Sequence, residues 1–294
     1  SVATDMDLKK ALVLYKKSVY ANYFLDKKSS LRSRKGQIPA ENLSRLLEVH
    51  DEHYRALERV EDCLRKAGIA YQKNNRGKDI DYAKFDLIIT VGGDGTFFEG
   101  ARSTRAQLIL GVNSSPKWSV GKFCTADIKS FPIIIERILA KKFSVQLLHR
   151  LRIRGIKALE KINVLNDILL AHRNPAAMSR YYLKVRGVKE EQRSSGIWIS
   201  TAAGSTGAIR SAGGKVLPAP SGSFQYLCRE LYQAGKQNYN LKKGMLSPSE
   251  NIAVTSLMRE GMIFMDGAHA SCPFVFGQKI IIFHSPYPLR VIRV

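Results

Sequence analysis

An α/β domain followed by a mainly β domain is the architecture this sequence predicts, and three observations carry it. Between residues 11 and 112, short apolar runs alternate with longer amphipathic stretches, the pattern of a parallel sheet with helices on its faces. Beyond residue 143 the segments become short, β-branched and aromatic, separated by Gly, Pro, Asn or Ser. A chain of 294 residues, 45% of them hydrophobic, can bury the two cores that this plan requires.

The elements follow in order. Residues 11–15, Ala-Leu-Val-Leu-Tyr, suit a buried strand, and the polar stretch at 27–35 reads as a mobile loop. From 41 to 67, Leu43, Leu46, Leu47, Tyr54, Leu57, Val60 and Leu64 recur at helical spacing, and Gly68 stands where a helix commonly stops. Residues 69–71, 85–91 and 108–112 are the next strands, with a helix over 96–105 between the last two. In such a sheet ligands bind beyond the carboxyl ends of the strands, where Gly92 to Gly95 fall. Residues 128–142 form another helix, Pro132 being tolerable in its first turn. Strands are then expected over 145–153, 163–170, 180–185, 197–201, 262–265, 279–283 and 289–294, with 213–250 as an extended loop. The boundaries implied are an α/β domain over 7–142, a mainly β domain over 143–275, and strands over 276–294 that return to the first domain.

Lys and Arg number 47 against 25 Asp and Glu, a net charge of +22, so polyanions are attracted. The basic residues are scattered, and no basic stretch carries the interleaved aromatics of a base-stacking platform. Nucleic acid is therefore not the expected partner. Cys63, Cys124, Cys228 and Cys272 are isolated, which fits a reducing compartment rather than a disulfide framework or a zinc knuckle. With no apolar run of spanning length and no signal-peptide pattern, a soluble intracellular protein without a membrane partner is expected. It would be cytoplasmic, or mitochondrial if a transit peptide has been removed.

Two motifs carry chemistry. In Gly92-Gly93-Asp94-Gly95-Thr96 the glycines let main-chain N–H groups approach phosphate oxygens, and the following helix adds a positive dipole end. Asp94, the one ionisable side chain of the turn, can take a proton from an attacking hydroxyl or touch a nucleotide-borne Mg²⁺. The structural alternative is a tight turn in which Asp94 caps the helix. This is neither a Walker A loop nor a dinucleotide fingerprint, since Phe98 stands at the third glycine position. The second motif runs from Ser194-Ser195-Gly196 through a strand to Ala202-Ala203-Gly204-Ser205 and a helix from Thr206 to Ser211. Its small residues let a planar base lie on the backbone, while Thr201, Ser205, Thr206 and Ser211 supply donors and acceptors. A small-residue helix packed closely on a sheet is the alternative. Asn166-Asp167, inside an apolar run, is a polar pair that ligand hydroxyls would satisfy.

These stretches, with Gly111-Val112-Asn113, resemble the NAD kinase family in order and spacing over most of residues 85–270. The resemblance implies transfer of the γ-phosphate of ATP to the 2′-hydroxyl of the adenosine ribose of NAD or NADH, with Mg²⁺ or Mn²⁺. It implies a Rossmann-like first domain, a sandwich-like second one, and homodimers or homotetramers. Asp94 then resembles the proton acceptor, and Gly92, Gly93, Gly95 and Thr96 the phosphate turn. Asn113, Asn166 and Asp167 fall on cofactor-binding positions, as do Thr201, Gly204 and Ser205. Thr206, Gly207, Ala208 and Ser211 would line the adenine pocket, with Ser179, Arg180, Arg193 and Ser195 as further contacts, and Asp266-Gly267 resembles the late Asp-Gly turn.

Ala202-Ala203 replaces the usual Pro-Thr, Ala208 a common Tyr, Ser195 a common Asp and Ala268 a frequent Gln. This version resembles the branch with plant NADH kinase and the mitochondrial enzymes, which implies a preference for reduced cofactor. The rivals are a lipid kinase of the diacylglycerol or sphingosine type, which shares the Gly-Gly-Asp-Gly-Thr turn, and a basic nucleic-acid-binding protein. His50 and His53 read as surface or interface residues, Trp118 as packing, and His149, His172, His269 and His284 as scattered.

Overall fold

Leu87–Gly92 is buried along its whole length, and the first sheet is built around it. Leu87, Ile89 and Val91 join a core with Leu57, Val60 and Leu64 of the helix Ala40–Lys66 and with Ile134, Ile135 and Ile138 of the helix Phe131–Leu139. The alternate residues Ile88 and Thr90 lie against Gly100 of the helix Asp94–Ser103. Helices thus cover both faces, which is why this strand reads as a continuous apolar run rather than an alternation.

The computed structural model describes residues 8–233, 238–268 and 270–294, so His269 lies outside the described residues. Contacts divide the chain into one unit of residues up to 100, 106–146 and 290–294, and another of 101–105 and 147–289. The first unit's sheet places Ala70–Asn75, Lys10–Tyr15, Leu87–Gly92, Leu108–Asn113, Leu289–Arg293 and Ser144–Leu148 side by side in that order, with Ala126–Asp127 beside Leu108–Asn113. Lys10–Tyr15 pairs in parallel with Ala70–Asn75 on one side and Leu87–Gly92 on the other. The strand order reverses there, so Tyr15 and Gly92 end at a topological switch point, where open α/β sheets take their ligands.

His53 corrects one expectation. It is fully buried, with Nε2 2.6 Å from Lys16 O and Nδ1 2.8 Å from Ser114 Oγ. A carbonyl only accepts, so Nε2 donates and the Ser114 hydroxyl donates to Nδ1. Burial pulls the His53 pKa from 6.5 down to about 4. Over that window the unfolded chain takes up a proton that the folded chain refuses, so stability falls as pH falls, by about 3 kcal/mol in full. A His53→Gln variant should lose this part of the acid sensitivity, measured as the shift in urea midpoint between neutral and mildly acidic buffer.

The second unit stacks two antiparallel sheets. The five-stranded one runs Val188–Ser194, Ser179–Val185, Asn251–Ser256, Lys279–His284, Leu151–Arg154, and the six-stranded one Lys243–Leu246, Phe224–Cys228, Ile197–Thr201, Asp167–His172, Gly261–Met265, Ala270–Pro273. Tyr181, Leu183, Val254 and Ile282 of the former share one core with Ile168, Leu170, Ile199 and Ile263 of the latter, the arrangement of a sandwich.

Three further expectations change. The stretch 213–250 carries the strands Phe224–Cys228 and Lys243–Leu246, because five consecutive buried residues outweigh the Gly, Ser and Pro around them. The stretch 145–153 is two strands, Ser144–Leu148 and Leu151–Arg154, which join different sheets. Between them Arg150 is fully buried; it donates to Tyr287 O, and through Nη1 to Ala101 O at 2.6 Å and Thr104 O at 2.8 Å. Ala101 is in the last turn of the helix Asp94–Ser103 and Thr104 follows it, where a helix turns backbone acceptors toward partners outside itself. The polar stretch at 27–35 leads into a short 3₁₀ helix, Arg32–Gln37. No helix among the described residues is long and apolar enough to cross a membrane.

Candidate active site

The helix after Leu87–Gly92 starts at Asp94, two residues before the expected Thr96, and Gly93 O accepts from Thr96 N at 3.0 Å. Asp94 therefore stands in the first helical turn, where the dipole favours its charge. Its carboxylate is held from the loop after Leu108–Asn113: Lys122 N donates to Oδ2 at 3.1 Å and Phe123 N to Oδ1 at 2.9 Å. Each oxygen keeps acceptor capacity beyond that bond. Asn113 shapes the loop, Nδ2 donating to Ser119 O at 2.8 Å and Oδ1 accepting from Ser115 N at 3.2 Å.

Packing explains Gly92, since a Cβ there would lie 2.9 Å from the Thr96 Cβ. Gly95 is different. A Cβ there meets nothing closer than Arg76 Nη1 at 3.6 Å, so packing does not demand glycine and the space above the turn stays open. Thr96 Oγ1 is buried without a hydrogen-bond partner among the described residues.

Cations gather at this end of the sheet. Arg76 N donates to Tyr15 O at 2.8 Å, and the Arg76 guanidinium meets Glu99 at 2.7 Å. Burial, then the Arg76 charge, pull the Lys16 pKa down; burial does the same to Lys122, against the pull of Asp94. Such a rim suits an anion. Among the described residues no group of three or more His, Cys, Asp or Glu side chains can hold a metal ion. The lone carboxylate of Asp94 fits a Mg²⁺ delivered on a nucleotide, since that ion keeps waters and phosphate oxygens as most of its ligands.

In the second unit, residues distant in sequence converge on Asn166-Asp167. Asp266 Oδ1 accepts from Leu165 N at 3.0 Å and Asn166 N at 2.6 Å, and Asp266 N donates to Asp167 O at 2.9 Å. Asn166 Nδ2 donates to Asp167 Oδ2 at 2.9 Å. Thr201 Oγ1 donates to Leu165 O at 2.5 Å and accepts from Gly204 N at 3.0 Å, while Ser205 Oγ donates to Ala202 O at 2.7 Å. Burial raises the Asp167 pKa to about 6 and that of Asp266 to about 7, the latter against its backbone hydrogen bonds and the Arg102 charge.

A Cβ on Gly204 would overlap Asn166 O and stand 2.7 Å from Asn166 Oδ1, so the loop lies directly on the polar pair. Gly204→Ala should cost about 1–3 kcal/mol as an overpacked contact, measured by urea unfolding.

The other expected residues are spread more widely. Thr206, Ala208 and Ser211 are exposed on the short helix Ala208–Ser211 and its approach, with Gly207 as its cap. Ser195 lies at the bend before Ile197–Thr201, its N–H donating to Arg229 O at 3.1 Å. Ser179 is buried and accepts from His172 N at 2.8 Å. Arg180 and Arg193 project from the five-stranded sheet and share Glu191 at 2.9 and 3.2 Å. Arg102, 3.8 Å from Asp266 Oδ2, and the Lys122 and Phe123 amides were not foreseen. No local signal marks them, except that Gly121 opens the loop with a φ of 56°.

The family model described as the ATP-NAD kinase N-terminal domain matches residues 33–143. An NAD kinase from Archaeoglobus fulgidus in complex with ATP superposes with a TM-score of 0.69 at 23% identity, covering 96% of this chain and 92% of that one. Yeast NADH kinase complexed with NADH superposes with a TM-score of 0.71 at 13% identity, covering 98% and 84%. Both share the two-part α/β and β fold. A probable NADH kinase of Oryza sativa subsp. japonica is 30% identical over 246 residues, spanning 76% of this chain and 75% of the relative. With 30% identity over three quarters of both chains, and the family model matched as well, this chain belongs to the NAD kinase family.

Proposed function

We propose that the protein is an NAD(H) kinase, transferring the γ-phosphate of ATP to the 2′-hydroxyl of the adenosine ribose of NAD or NADH to give NADP or NADPH. The observation that carries this reading is Asp94, held by two backbone amides in the first turn of a helix at the switch point of the sheet, in a chain of this family. Asp94 takes the proton of the attacking hydroxyl, and the γ-phosphate lies over Gly92 to Gly95, with Lys16, Arg76 and Lys122 offsetting its charge. ATP brings Mg²⁺ or Mn²⁺, which neutralises charge on the phosphates when bound.

Asn166 and Asp167 contact the ribose and base of the dinucleotide, and the exposed Thr206, Ala208 and Ser211 accept the adenine. Reduced cofactor is the preferred acceptor, in keeping with a probable NADH kinase among the relatives. The assembly expected is a homodimer or homotetramer, in the cytoplasm or the mitochondrial matrix.

One assay tests the reaction: purified protein with Mg-ATP and either NAD or NADH, followed by an NADP-specific readout. NADP(H) formation is expected with both and faster with NADH. Diacylglycerol or sphingosine phosphorylated in place of either dinucleotide would overturn the reading.

A further inference from the structure

The outward face of the five-stranded sheet carries a recess of about 280 Å³ that the proposed kinase chemistry does not use, lined by Tyr182, Lys184, Lys189, Ala253, Thr255 and Lys279. Cross-strand register creates it. Lys189 stands opposite Lys184, Lys184 opposite Ala253, Tyr182 opposite Thr255, and Thr255 opposite Lys279, so all six side chains leave the same face. Small residues at the centre, ringed by long ones, leave a dent.

Its charge is unlike that of the surface around it. Arg180 and Arg193 share Glu191, and Arg186 meets Glu250. Lys184, Lys189 and Lys279 have no ion-pair partner among the described residues, and Lys189 Nζ lies 4.2 Å from the centroid of the Tyr182 ring. Three uncompensated ammonium groups around one dent repel each other, and a multiply charged anion between them relieves that repulsion. Ammonium groups act on phosphate as point charges and select no particular base or sugar. At about 280 Å³ the recess is smaller than the roughly 300–1,000 Å³ typical of drug-sized ligand sites, so it suits a short phosphate chain and not a whole dinucleotide.

We propose that this recess, lined by none of the residues assigned to phosphoryl transfer, binds a small polyanion carrying two or more phosphate groups. The test is isothermal titration of the full chain with inorganic tripolyphosphate, in the presence of a saturating non-hydrolysable ATP analogue that fills the donor site. Three proteins are compared: the parent, the triple variant Lys184→Gln, Lys189→Gln and Lys279→Gln, and an equal-charge control with Lys27→Gln, Lys28→Gln and Lys66→Gln. Glutamine keeps most of each aliphatic stem, and circular dichroism checks the fold; should the triple variant not fold, Lys279→Gln alone is read against the parent.

The recess variant should bind tripolyphosphate about tenfold more weakly than the parent, as three exposed ion pairs acting together would give, and Lys279→Gln alone about twofold. The control should bind as the parent does, and turnover of ATP without tripolyphosphate should be the same in all. Equal affinity in parent and recess variant, or an equal loss in the control, overturns the proposal. So does tighter binding of a single-stranded oligonucleotide than of tripolyphosphate that is lost in the recess variant, because the face would then serve a polymer.

Discussion

Asp94→Asn should lower kcat by roughly 10²- to 10⁴-fold, the contribution of a well-placed general base, while the KM for the dinucleotide stays within a few-fold of the parent. The substitution has a second effect that must be separated from the first. Lys122 N and Phe123 N each donate to a different oxygen of Asp94, and the amide nitrogen of Asn cannot accept from either. One amide loses its partner at a cost of about 1–3 kcal/mol, so the loop loosens somewhat. Thermal unfolding measures that cost, and dinucleotide binding measured without turnover shows whether the acceptor site survives. A variant that folds, binds and turns over at the parental rate removes Asp94 from the chemistry.

Asp266→Ala should destabilise the second unit by about 3–6 kcal/mol, measured by urea unfolding. The sum has identifiable parts: the amides of Leu165 and Asn166 lose their shared acceptor, at about 1–3 kcal/mol each, and Arg102 loses the carboxylate 3.8 Å away. Asp266→Asn keeps an oxygen for the two amides and should cost much less. Burial raises the Asp266 pKa from 3.8 to about 7, so the folded chain holds a proton that the unfolded chain has released between those values. This residue therefore contributes stability that is fully present below pH 3.8 and lost as pH rises through about 7, opposite in sign to His53. Asp266→Asn should abolish that slope. If Ala and Asn variants unfold at the same urea concentration, the acceptor role of Oδ1 is wrong.

Much of this was legible in the sequence, for reasons that differ by element. Asp94 stood out because it is the lone ionisable group in a glycine turn after an apolar strand, and Asn166-Asp167 because a polar pair interrupts an apolar run. Asp266 resembled a family turn, yet its grip on Asn166 spans 100 residues and leaves no local trace. The amides of Lys122 and Phe123 were invisible in principle, since every residue but proline supplies an N–H. The strand Val188–Ser194 was not among those expected, since Lys189 to Arg193 are all polar; its hairpin with Ser179–Val185 fixes it, with Arg186 and Gly187 at φ of 49° and 82° in a two-residue turn. His53 was misjudged because a histidine on an amphipathic helix reads as polar, whereas its two ring nitrogens are paid for by Lys16 O and Ser114 Oγ.

The strand Leu289–Arg293 lies between Leu108–Asn113 and Ser144–Leu148, although it is made more than a hundred residues after either. During synthesis the first unit's sheet therefore waits, with strand edges unpaired, until the residues of the second unit have been made. Bringing residue 293 home is a high-contact-order event, of the kind that slows folding. Chaperone dependence should concentrate in that interval, when an exposed edge can recruit a strand from a neighbouring chain.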